Sequence, residues 1–244
     1  MSAPYRLRLL EEASSTNDLA REAALAGEPA DLWIVARSQS GGRGRLGRPW
    51  RSPPGNFYGS LILRLEADLA TASTLSLVAG LAVAETIHEL SGGRLAPRLK
   101  WPNDVLIDGA KLAGILVEGA MDGQGCWLVI GIGVNLESAP ADLPYPATSL
   151  RAAGLPALSP EAFLAVLDGC FRGRLRQWRE GGFPALREAW LTAAMGIGQL
   201  VKIRQGERER EGRLADLAGD GAILVEFDGG AMEHFTAGEI VFQH

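Results

Sequence analysis

The chain has 244 residues, 47 % hydrophobic and 22 % charged, which excludes a disordered or low-complexity chain and allows one large domain or a large and a small one. Its net charge of −5 excludes a surface built throughout to attract nucleic acid. Cys126 and Cys170 follow no metal-binding spacing, glutamates interrupt the start where a signal peptide is apolar, and the apolar runs fall short of a bilayer span; a reduced, cytoplasmic protein without a membrane segment is predicted.

The opening YRLRLLEE alternates like a strand, and SSTN then starts a helix, DLAREAALAG, that Gly27 ends. LWIVAR reads as a buried strand. Residues 38–55, rich in Gly, Pro and Arg, read as a loop. NFYGSLILRL is a strand and TLSLVAGLAVAETIHEL a helix with apolar residues at helical spacing. LAPRLKWPNDVLI predicts two strands around a turn at Pro102 and Asn103. KLAGILVEGA and GCWLVIGIGVN read as central strands joined by a hairpin at residues 121–125. A Pro/Ala-rich connection, residues 140–160, leads to two helices. Beyond Gly196 five short strand-like pieces, separated by Gly/Asp turns, suggest a small barrel. The predicted fold class is therefore α+β. A mixed-sheet domain spans residues 1–195, and a small β domain follows over residues 196–244.

Three of the 24 basic residues are lysines, and two of them, Lys100 and Lys111, share the segment KWPNDVLIDGAK. Arg37, Arg43, Arg45, Arg48 and Arg51 fall in a window without an acidic residue. An acidic chain that concentrates positive charge in two places points to a bound anion. Residues 42–47 formally match GxGxxG, but the prolines that follow prevent the helix a dinucleotide site requires. What remains is a flexible loop carrying guanidinium groups, suited to phosphate oxygens or, on the plainer reading, to solvent or RNA. KWPND alone reads as an ordinary turn in which Asp104 neutralises a lysine. The glycines of GIGVN, residues 131–135, mark either a strand bend or a close approach of backbone to ligand, with the Asn135 amide suited to an adenine edge. Ser15 fits a helix cap, and the same helix start offers hydroxyls and N–H groups to a polar ligand.

Taken in order, SSTN, Gln39, GRGRLGRPW, KWPNDV, KLAGILVE and GIGVN resemble the biotin–protein ligase family across nearly the whole chain. The resemblance implies a catalytic domain similar to class II aminoacyl-tRNA synthetases and lipoate ligases, plus a small C-terminal Src-homology-3-like β-barrel. It implies biotin and ATP as substrates with Mg²⁺, a biotinoyl-5′-AMP intermediate, and transfer to a lysine of a biotin carboxyl carrier protein domain. By the same resemblance Ser15, Thr16, Asn17, Gln39, Arg43, Gly44, Arg45, Lys111, Gly114, Leu116, Gly131 and Gly133 form the biotin site. Arg43, Arg48, Trp50, Asn103, Lys111 and Asn135 contact the nucleotide, and Lys111, Arg48 and Arg45 are catalytic; the metal ligands are not assigned.

Larger family members carry an N-terminal DNA-binding domain. SSTN begins here at Ser14, so a ligase without DNA binding is expected. Family members often dimerise through the main sheet, which makes a homodimer a further expectation. A lipoate ligase on the same architecture and a nucleic-acid-binding module are the competing readings.

Overall fold

The computed structural model describes residues 5–122 and 125–242. Seven strands form one mixed sheet: β1 (Arg6–Ala13), β2 (Leu32–Gln39), β3 (Phe57–Leu65), β4 (Arg98–Lys100), β5 (Asp104–Ile107), β6 (Ala110–Asp122) and β7 (Gly125–Val134). Their order is β1-β2-β3-β7-β6-β5-β4, with β1 and β2 parallel and every other neighbour antiparallel. The helices are α1 (Thr16–Leu25), α2 (Leu69–Ser73), α3 (Leu75–Leu90), α4 (Pro160–Gly181) and α5 (Pro184–Ala193). A second sheet, wholly antiparallel, follows: β8 (Leu200–Gln205), β9 (Arg208–Leu217), β10 (Ile223–Glu226), β11 (Met232–Phe235) and β12 (Glu239–Phe242), in the order β11-β10-β9-β8-β12.

Strand alternation divides the seven-stranded sheet into two faces. Trp33 and Val35 of β2, and Leu128, Ile130, Ile132 and Val134 of β7, face the main core, which they share with residues of α3, α4 and α5 and with Val201, Leu214 and Ile240 of the second sheet. Leu32 and Ile34 of β2, and Trp127 and Val129 of β7, face the other way and pack with Ala20, Ala23 and Ala24 of α1. Alanines along α1 let it lie close to that face. Ser15 caps it, its side chain accepting from the Asp18 backbone N–H, as the sequence predicts.

Three local expectations are corrected. Ser38 and Gln39 belong to β2 rather than to the loop, because β2 continues its pairing with β1 as far as Gln39. The short α2, which Asp68 caps at the Thr71 N–H, has no counterpart in the sequence reading; five residues carry too little periodicity to announce a helix. The apolar runs are also longer than expected: residues Leu69–Leu90 are long and apolar enough by length and composition to cross a membrane. They are largely buried inside the fold, as a core helix is. The predicted hairpin turn at residues 121–125 includes 123 and 124, which lie outside the described residues.

A buried polar cluster fastens α4 to the sheet. The Trp33 indole N–H donates to Asp168 Oδ1 at 2.8 Å, Arg172 Nε donates to Asp168 Oδ2 at 2.7 Å, and Arg172 reaches Asp31 at 3.2 Å. Asp168→Ala strands the Trp33 donor and leaves Arg172 with Asp31 alone, which destabilises the protein by about 2–3 kcal/mol. Asp168→Asn keeps an acceptor for Trp33 and costs less; urea unfolding midpoints of the two variants check the order.

Candidate functional site

On the α1 face of the sheet, side chains give way to glycine. Gly133 pairs with Tyr58 on one side and Gly114 on the other, and Gly114 pairs with Asp104. In the next row Ser60, Gly131 and Leu116 stand side by side. A Cβ on Gly133 would lie 2.7 Å from the Trp50 indole, one on Gly114 would lie 3.2 Å from the same ring, and one on Gly131 would run into Asn17 Oδ1. The glycines of GIGVN and KLAGIL therefore make a floor on which Trp50 and Asn17 rest.

At the α1 end the polar groups form a chain. Gln39 Oε1 accepts from the Thr16 N–H at 2.8 Å and from Thr16 Oγ1 at 3.1 Å, while Gln39 Nε2 donates to Ser52 Oγ at 2.9 Å. Ser60 Oγ, fully buried, lies 2.6 Å from Asn17 Oδ1 and 2.9 Å from Thr16 Oγ1. Asn17 Nδ2 donates to Glu118 Oε2 at 2.8 Å and, at 3.5 Å, to the Leu116 carbonyl.

The arginine loop folds back as a hairpin, with bridges Gln39–Ser52 and Arg43–Pro49 and a three-residue 3₁₀ turn, Arg45–Gly47, at its tip. No α-helix begins there, in keeping with the rejection of a dinucleotide motif. Gly44 sits where its N–H donates to the Arg48 carbonyl at 2.7 Å. Arg43 is held between Asp18 (2.6 Å) and Glu118 (3.1 Å), and these carboxylates, Asp18 first, raise its pKa further. Arg45 donates to the Gly238 carbonyl at 3.3 Å, and burial lowers its pKa. Arg48 pairs with Glu239 at 2.5 Å and holds that carboxyl below the usual carboxylate range. Residues from the loop and from the second sheet thus meet.

Lys111 reaches this place because of a register shift. Val105 pairs with Ala113, but Leu106 pairs with Lys111, so Leu112 is an extra residue on β6. Strict alternation from Gly114 would turn Lys111 into the core; with Leu112 taking the buried position, Lys111 comes out on the glycine face. Its Nζ lies 2.7 Å from Asp104 Oδ1, 5.5 Å from the Trp50 ring centroid and 5.6 Å from that of Tyr145. Lys100, whose pKa burial lowers, stands near Asp104, Lys111 and Arg48 and 5.8 Å from the Phe242 ring.

The structure thus gathers Ser15, Thr16, Asn17, Gln39, Arg43, Gly114, Leu116, Gly131, Gly133, Trp50, Lys111, Arg45 and Arg48 along the glycine face of the sheet and the loop over it. Two residues predicted to meet a nucleotide have their amides engaged elsewhere: Asn103 Nδ2 donates to the Ile115 carbonyl at 2.8 Å, and Asn135 Nδ2 to the Thr148 carbonyl at 3.0 Å. Sequence reasoning missed Ser60, the counter-charges Asp18, Glu118 and Glu239, and Tyr145. Of these only Asp18 had a signal, its place in the SSTN helix start. Among the described residues no three His, Cys, Asp or Glu side chains gather as a ready metal site.

Comparison with known proteins gives a consistent picture. The family described as Biotin/lipoate A/B protein ligase matches residues 9–135, and that described as Biotin protein ligase C terminal domain matches residues 196–243. The biotin–[acetyl-CoA-carboxylase] ligase of Paracoccus denitrificans is 37 % identical over 240 residues, which cover 96 % of this chain and 99 % of that protein. The bifunctional ligase/repressor BirA of Bacillus subtilis is 34 % identical, over 92 % of this chain and 70 % of its own length. The structure of biotin protein ligase from Aquifex aeolicus in complex with biotin and ATP matches with a TM-score of 0.82 at 28 % identity, covering 97 % of each chain.

The Arg48–Glu239 pair ties the loop to the second sheet in a pH-dependent way. Because the folded carboxyl titrates below its unfolded value, the contact contributes fully above the ordinary carboxylate pKa and is lost as pH falls through the depressed value. Trypsin cleavage after Arg45, in the loop that this pair holds, is therefore expected to stay slow between about pH 5 and 7 and to be faster in Glu239→Gln. Equal cleavage of variant and wild type would show that the pair does not hold the loop.

Proposed function

The chain belongs to the biotin protein ligase family, and from that premise we propose that it joins biotin to ATP and then passes the biotinoyl group to a lysine of a biotin carboxyl carrier protein domain. The observation that carries this reading is the convergence of the arginine loop and of Lys100 and Lys111, from separate stretches, over one glycine floor. In the first step a biotin carboxylate oxygen attacks the α-phosphorus of ATP and pyrophosphate leaves. In the second the lysine amine attacks the acyl carbon and AMP leaves.

The first step brings two anions together, and at about 4 Å their repulsion is roughly 4 kcal/mol at an effective dielectric near 20. Lys111, Arg43 and Arg48 supply the opposing charge, and no protein nucleophile is needed. Biotin's ureido ring would lie among Ser15, Thr16, Asn17 and Gln39, whose hydrogen-bonding groups suit its N–H and C=O groups. A lipoyl ring has no such groups to satisfy them. Trp50 would close the acyl chain against Gly114 and Gly133. Arg45 and Gly44 belong to the loop that covers the adenylate and keeps water from the mixed anhydride. The nucleotide would extend towards Arg48, Asn103 and Asn135. Mg²⁺ is commonly held by one or two carboxylates together with substrate phosphates, a requirement that Asp104, beside the two lysines, fits. When bound, the ion would neutralise phosphate charge.

Residues 1–195 are proposed as the catalytic unit and 196–244 as the appended one, a division supported by the change of sheet after α5. Beyond Gly114, β6 pairs only with β7 among the described residues, which leaves residues 116–122 as an open edge beside the site. An extended carrier segment added there would bring its lysine to the cleft. The expected homodimer has the same edge and that of β1 available. The thiol of Cys170, outside any disulfide among the described residues, supports a reducing, cytoplasmic location.

Lys111→Ala is expected to lower biotin-dependent exchange of pyrophosphate into ATP by about 10²-fold or more while the fold is kept. An unchanged exchange rate would sink the proposed role. Arg45→Gly removes the contact to Gly238, so free biotinoyl-5′-AMP should escape faster than from wild type, as chromatography of the reaction would show. Supplying lipoate in the exchange assay tests the acid: no exchange is expected.

A further inference from the structure

The Pro-rich connection, residues 140–160 of the sequence analysis, does more than link β7 to α4. Its backbone runs beside Lys111: the Lys111 N–H donates to the Pro146 carbonyl at 2.9 Å, and the Thr148 N–H donates to the Lys111 carbonyl at 2.9 Å. The same segment carries Tyr145, whose ring lies beneath the Lys111 ammonium. The ammonium then has the Trp50 ring at 5.5 Å and the Tyr145 ring at 5.6 Å, both within the range where a ring face attracts a cation. The two rings come from segments that are themselves tied together, since Arg51, next to Trp50, forms a two-pronged ion pair with Asp142, three residues before Tyr145.

A lysine side chain on a four-carbon stem samples many rotamers, and one carboxylate at its tip does not define its direction. Asp104 and two ring faces together do. We propose that Tyr145 is a positioning residue for the ligase reaction: with Trp50 it brackets Lys111 and holds the ammonium where the biotin carboxylate and the α-phosphate meet. The proposal rests on the role given to Lys111 above. The aromatic face is the working part, and the Tyr145 hydroxyl is dispensable.

Tyr145 is 43 % exposed, so its replacement leaves the core intact. Biotin-dependent pyrophosphate exchange is measured for the full chain, with kcat and the KM values for biotin and ATP determined separately. Tyr145→Leu should lower kcat by about fivefold, equivalent to ~1 kcal/mol, with both KM values unchanged. Tyr145→Phe should restore the wild-type rate. The proposal is overturned if Phe falls as far as Leu, if Leu leaves kcat intact, or if Leu acts through the KM for ATP, which would make the ring a direct nucleotide contact. Lys111→Ala assayed in parallel separates the two ideas. Exchange that survives in Lys111→Ala removes the lysine's role itself. Exchange lost there but kept in Tyr145→Leu removes the bracket alone.

Discussion

A site proposed to quiet two anions has to hold its cations together before either anion arrives, and mutual repulsion works against it. Arg45 feels Arg48, and Lys100 feels both Lys111 and Arg48. The fold answers with carboxylates drawn from separate elements: Asp18 from α1 and Glu118 from β6 on Arg43, Asp104 from β5 on Lys111, Glu239 from β12 on Arg48. These pairs keep the charges gathered while they remain partly open to solvent, where each pair is weak enough to be exchanged for a ligand. The negative net charge of the chain and its two basic clusters are thus parts of one arrangement.

The same logic explains why two sheets cooperate at one site. Trp101 Nε1 donates to the Gly221 carbonyl at 3.0 Å, and the apolar cores of the two sheets are continuous. The second sheet can then hold Gly238 and Glu239 steady against the arginine loop. A loop glycine-rich enough to fold over a ligand has little order of its own. Its resting shape comes from what it leans on, which is α1, the sheet floor and the start of β12.

Much of this was legible in the chain. Alternation and helical spacing located the main strands and the longer helices, and SSTN, the arginine loop, KWPND and GIGVN come together in the folded chain. The counter-charges were not legible. Glu118 sits in KLAGILVE and Glu239 at the start of the last strand, and nothing in either neighbourhood states that an arginine far away in sequence will reach it. Asn103 and Asn135 add a structural part that their motifs do not state: the Nδ2 group of each donates to a backbone carbonyl, of β6 and of the Pro-rich segment. Long-range pairing decides both cases, and local propensity carries no record of it.

The extra residue at Leu112 has a consequence for how such a protein can change. Alternation makes facing a matter of counting: Lys111 and Gly114 stand three positions apart, a spacing that puts residues of a regular strand on opposite faces, and the extra residue lets them share one. Straightening that bulge at unchanged length would turn the ammonium towards the core, whereas losing one residue together with the bulge would leave it facing the same way. Chain length between Val105 and Gly114 is therefore tied to the backbone irregularity there, and the two must change together if Lys111 is to keep its facing.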